Sequence, residues 1–110
     1  MKKIKIDLYD CEVFFTTNKD EYSKVADNEI CSLFLTTCVG HKVYILIGDT
    51  FGGSTSPAFL QCLSHECNHA AMHILGFVGV KFGFENQEPL CYLQDFIFRK
   101  CYEYALRCGV

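Results

Sequence analysis

Ile4-Lys5-Ile6-Asp7-Leu8 puts an apolar residue at every second position, as in a strand with one buried face. Cys11, Val13 and Phe15 alternate too, but on odd positions. Side chains in a strand repeat every two residues. The parity change around Tyr9-Asp10 therefore requires a bulge or a tight turn if both segments face one core. Asn18 then stands where a helix N-cap belongs, with Glu21 three residues on as capping-box partner. Tyr22, Val25, Ala26 and Ile30 follow at helical spacing, which predicts a short amphipathic helix over residues 19–28. Segments 31–38 and 42–47 are rich in Leu, Phe, Thr, Val and Ile. With Val39-Gly40-His41 between them they read as a hairpin. The unbroken run Tyr44-Ile45-Leu46-Ile47 implies a strand buried on both faces.

Residues 48–56 form the clearest loop. Ser56 caps a helix whose first position is Pro57, where the missing N–H costs nothing. That helix is expected to run to about Leu75, with Gly76 as its C-cap. Phe77 to Phe84 reads as an extended connector. Asn86 is the expected cap of a last helix, which tolerates Pro89 in its first turn. Leu93, Phe96, Ile97, Cys101, Tyr104 and Ala105 mark the buried stripe of that helix. A chain of 110 residues predicts one domain, residues 1–110.

Half of the 110 residues are hydrophobic and 21% are charged, which excludes intrinsic disorder. The net charge is −3, with no basic tail or stripe, so no grip on nucleic acid phosphates is expected. No apolar run reaches membrane-spanning length, and Lys5 and Asp7 interrupt any secretory core after Met1-Lys2-Lys3. The eight cysteines include no CxxC pair. Without a secretion signal they are expected to be reduced thiols in a cytoplasmic protein, several of them packed as small hydrophobes.

The chemistry concentrates in His65-Glu66-Cys67-Asn68-His69, an H-E-x-x-H motif in the middle of the first long helix. Residues four apart share a helix face, so His65 and His69 can offer two imidazole nitrogens to one zinc ion. Glu66, about 100° further round, can reach a water on that ion and act as general base. A catalytic zinc needs a third protein ligand and an open position. The extended H-E-x-x-H-x-x-G-x-x-H pattern is absent, because Met72 and Leu75 stand at its last two positions. Glu88, at the start of the last helix, is the favoured third ligand over Glu85. His73 and Cys62 share the motif's face and are alternatives; a Cys-His-His set would make the site structural. Tyr92, one turn past Glu88, is a candidate oxyanion donor or a packed aromatic, and His41 is a second candidate donor. Asp95 is a weaker candidate for orienting a ligand histidine. Tyr44 to Ile47 is the candidate strand beside a cleft, its edge open to an extended peptide.

H-E-x-x-H on one helix followed by Glu-x-x-x-Tyr on the next resembles the gluzincin-type zinc metallopeptidases. At this length it is similar to small bacteriophage-encoded metallopeptidases. The resemblance rests on His65, Glu66, His69, Glu88 and Tyr92 and spans roughly residues 42 to 105. It implies a zincin-like α+β fold, a small, mostly antiparallel sheet packed against the active-site helix and a second, ligand-bearing helix, with His65, His69 and Glu88 as zinc ligands, Glu66 as general base and a peptide or protein as substrate. The chain is shorter than larger gluzincins, whose second domain walls the cleft. Two other functions fit the same residues: a zinc-stabilised binding module without catalysis, and a zinc hydrolase of a non-peptide amide.

Overall fold

The computed structural model describes residues 1–26, 32–48 and 52–110. Strands β1 (Lys2–Ile6) and β2 (Cys11–Thr16) form an antiparallel hairpin. The parity change is resolved by a tight turn: Asp7–Tyr9 make one 3-10 turn, and Asp10 closes it in the left-handed region at φ 50°. Ile4 then faces Val13 and Ile6 faces Cys11, so both apolar sets share one face. Leu8 is left outside the strand and is 81% exposed.

Helix α1 (Lys19–Ala26) is capped as expected, with the Glu21 amide donating to Asn18 Oδ1 at 3.0 Å. The reciprocal half of the capping box goes elsewhere. Thr16 Oγ1 accepts from the Asn18 amide and donates to the Glu21 carboxylate. Asp27 and Asn28, the expected end of this helix, lie outside the described residues, as does Cys31 at the expected start of the next strand.

Strands β3 (Leu35–Val39) and β4 (Lys42–Leu46) pair antiparallel around Gly40, which holds φ 61°. β4 also pairs with β2, in parallel, giving the order β1-β2-β4-β3. The sheet is therefore mixed, and β4 lies inside it. Among the described residues the sheet's edges belong to β1 and β3, which corrects the expectation of a free edge along Tyr44 to Ile47. Interior placement explains that apolar run. Val43, Ile45 and Ile47 enter the main core, while Leu46 packs against Tyr22 and Ala26 of α1 on the other face.

Helices α2 (Pro57–Phe77) and α3 (Glu88–Arg107) cover the main-core face. Ser56 Oγ caps α2 by accepting from the Ala58 amide, with Pro57 in the first position. The helix outruns the expected stop at Gly76. Gly79 takes the left-handed position at φ 71°; its amide donates to the Gly76 carbonyl and that of Val80 to the Leu75 carbonyl. This pair of bonds is a Schellman closure. α3 ends the same way: Gly109 has φ 75° and donates to Leu106, and Val110 donates to Ala105. Both closing valines pack against the core. At the other end of α3, Asn86 does not cap. Its side chain donates to the Lys81 carbonyl within the preceding loop, and Gln87 occupies the cap position. Leu93, Ile97, Cys101 and Ala105 form the buried stripe, whereas Phe96 is 43% exposed.

No helix among the described residues is long and apolar enough to cross a membrane. The described cysteines are free thiols. Burial pushes the Cys101 thiol well above its usual range, and the neighbouring Cys67 thiol adds to that shift. A thiol held neutral in this way behaves as an apolar side chain.

The two glycines near the end of α2 should respond oppositely to alanine. Gly76 is helical with open space where a Cβ would stand, so Gly76→Ala should stabilise by up to about 1 kcal/mol. Gly79 has the same open space but a positive φ, so Gly79→Ala should cost about 1 kcal/mol. Urea unfolding of the two variants beside the parent measures both signs.

Candidate metal centre

The third and fourth turns of α2 present three faces. Leu63, Cys67, Ala70, Ala71 and Ile74 are buried in the core. Ser64 and Asn68 look along the seam with α3, where Gln94 ties the helices together. The Gln94 side chain accepts from Asn68 Nδ2 at 2.8 Å and donates to the Ser64 carbonyl at 3.4 Å. His65 and His69 occupy the remaining, solvent-facing side.

On that face the imidazoles converge. Their Nε2 atoms are 3.1 Å apart, with ring planes crossing at 78°. A tetrahedral zinc with bonds of about 2.0–2.1 Å holds two ligand nitrogens about 3.3 Å apart. The pair therefore matches two vertices of a zinc site to within a few tenths of an ångström. A pair without metal at this distance requires one ring to donate and the other to accept.

Glu66 lies beside the pair at 8% exposure, between α2 and β3. Thr36 Oγ1 is 2.8 Å from Glu66 Oε1 and 3.1 Å from the Glu66 carbonyl oxygen. A buried carboxylate without a donor is costly, and the threonine hydroxyl meets that need. Sequence reasoning did not single out Thr36. Its signal was a polar residue two positions from Cys38 on a strand face that the core also uses. His65 and Glu66 open onto a cavity of about 450 Å3 walled by Leu33, Phe34 and Cys62.

Glu88 and Tyr92 do not join this site. Both line a separate groove of about 510 Å3 against Asp7 and Leu8, and Tyr92 is 70% exposed. At 100° per residue, Glu88 and Tyr92 lie about 120° and 160° around α3 from Gln94, the residue that touches α2. The rotation of α3 about its axis turns Glu88 away from the histidine pair. Among the described residues, no group of three or more His, Cys, Asp or Glu side chains is placed to hold a metal ion.

The remaining candidates have other neighbours. Cys62 shares the cavity with His65. His41 stacks on Phe77 with centroids 5.3 Å apart, and His73 faces the same ring at 6.5 Å. Glu85 sits in the exposed loop between the two long helices, and Asp95 is exposed on α3.

The Thr36–Glu66 contact predicts a graded response. Thr36→Val should cost about 1–3 kcal/mol of folding stability by leaving the carboxylate without its donor, while Thr36→Ser should recover most of it. Chemical denaturation of both variants at neutral pH tests the ranking, and equal losses would contradict it. No family model, curated protein or solved structure matches the chain.

Proposed function

We propose that the protein is a zinc-dependent peptide hydrolase of zincin-like fold, with its centre on the His65-Glu66-His69 turn of α2. The observation that carries this reading is the 3.1 Å approach of the two Nε2 atoms beside a buried glutamate. Their donor chemistry fits two zinc ligands. Zinc held there would supply Lewis acidity towards a carbonyl and a water. Thr36 holds one oxygen of Glu66, and the other has no hydrogen bond among the described residues. Glu66 would use that oxygen to take a proton from the attacking water and pass it to the departing amine.

The two sheet edges support an extended peptide as substrate. β1 carries Lys2, Lys3 and Lys5, the kind of charge that keeps other strands from adding to an edge. β3 runs Leu35-Thr36-Thr37-Cys38-Val39 without a charge, and Thr36 on it touches Glu66. The unguarded edge is thus the one beside the motif, where a substrate strand could pair with the sheet. Glu88 as third ligand and Tyr92 as oxyanion donor stay within this proposal. Both would require the first turns of α3 to turn out of their groove towards α2. A cytoplasmic location agrees with the free thiols.

One observation favours a second reading, a zinc-stabilised binding module without catalysis: the placement of Glu88 away from the pair. The two readings part on metal content and turnover. Purified parent should carry close to one zinc per chain, His65→Ala and His69→Ala should lose it, and Glu88→Ala should lose most of it. A parent that binds no zinc, or a His65→Ala variant that keeps it, removes the metal reading altogether.

Glu66→Gln should keep the zinc and lower cleavage of a mixed peptide library by about 100-fold or more. Retained zinc with no cleavage in the parent selects the binding module. A Glu66→Gln variant as fast as the parent would sink the proposed mechanism.

A further inference from the structure

The proposed reaction uses no thiol, yet one lines its cavity. Cys62 is half-buried in α2, one turn before the motif. On a helix a side chain neighbours those three and four residues further on, which here are His65 and Glu66. All three face the same cavity of about 450 Å3. A nucleophilic sulfur, an imidazole and a carboxylate thus share one space. Glu66 is its buried member at 8% exposure, and the oxygen that Thr36 leaves free has no hydrogen bond among the described residues. Leu33 and Phe34 add apolar wall, and Gln61 adds a carboxamide. The space is of the size that holds small molecules, roughly 300–1,000 Å3.

Position separates Cys62 from the other described thiols. Cys11, Cys67 and Cys101 are buried in the core and closed to a reagent, and Cys38 is half-buried against it. Cys91 and Cys108 are more exposed than Cys62. But Cys91 lines a different cavity, with Phe82 and Phe84, and Cys108 follows the end of α3. A group added to either exposed thiol leaves the space before His65 empty. A group added to Cys62 fills it.

We propose that Cys62 is a modification site for low-molecular-mass disulfides of the glutathione type, and that the adduct closes the cavity in front of His65 and Glu66. The Cys62 thiolate attacks one sulfur of the disulfide. The old S–S bond breaks as the new one forms, and the departing thiolate takes up the proton that Cys62 gave up. The Cys62 sulfur is oxidised and the departing sulfur is reduced, so the disulfide is the only oxidant required. A thiol reductant reverses the step. The modification needs no metal, whereas its effect on turnover rests on the hydrolase reading.

Metal-free parent treated with oxidised glutathione and mapped by mass spectrometry should carry a glutathionyl group on the peptide that contains Cys62. The ring-proton resonances of His65 should move with it, while those of His41, stacked on Phe77, stay in place. Dithiothreitol should reverse both changes. Cys62→Ser should lose the adduct and the resonance shift while Cys91 and Cys108 still react. In zinc-loaded protein, cleavage should fall in proportion to the fraction modified at Cys62, and cleavage by Cys62→Ser should not respond to the disulfide. A Cys62 that stays unmodified overturns the proposal. So does an adduct on Cys62 that leaves the His65 resonances unchanged. A parent that binds no zinc removes the hydrolase, and these two outcomes still decide the modification site.

Discussion

The organisation of α2 follows from one requirement: the Glu66 carboxylate, nearly closed off from water, needs a hydrogen-bond donor. Thr36 is that donor, and it reaches from the last strand of the sheet to both the side chain and the backbone of Glu66. The contact fixes which face of α2 meets β3. Once Glu66 points at the sheet edge, the i, i+4 geometry of a helix puts His65 and His69 together on the adjoining solvent face. Gln94 fastens the other flank through Asn68 and Ser64. The histidines owe their convergence to a helix held on both sides by polar contacts, with the apolar core beneath.

Local features of the chain were legible to the extent that they depend on near neighbours. The parity change at Tyr9-Asp10 demanded a turn, and a turn is there. Ser56-Pro57 announced the start of α2, and the spacing of His65 and His69 announced a shared face. The parallel pairing of β2 with β4 was not legible, because a strand's apolar pattern names its buried face and not its neighbours. For the same reason the pattern of β4 does not distinguish an interior strand from an edge.

Glu88 is the instructive case, because the needed signal was present. Leu93, Ile97, Cys101 and Ala105 recur every four residues and set the face of α3 that must be buried. Glu88 and Tyr92 fall roughly 160° from the centre of that stripe. In this structure the stripe sets the azimuth of Glu88 and faces it into the groove against Asp7 and Leu8. Gly76 was misplaced as the helix end for a related reason. A glycine ends a helix when the chain beyond it can return to the core, and Val80, one residue past Gly79, makes that return.

Both long helices are followed by the same two residues, Gly79-Val80 and Gly109-Val110, each glycine left-handed and each valine half-buried against the core. A helix closed in this manner has a locked phase. Adding one residue between His69 and Gly79 would either swing the upstream part by about 100° or pull the closing valine off the core. The closing Gly-Val step thus acts as a rotational index mark, setting the direction in which side chains three turns earlier are aimed. Length changes in this protein are therefore tolerable in the 81–86 loop and costly within either helix.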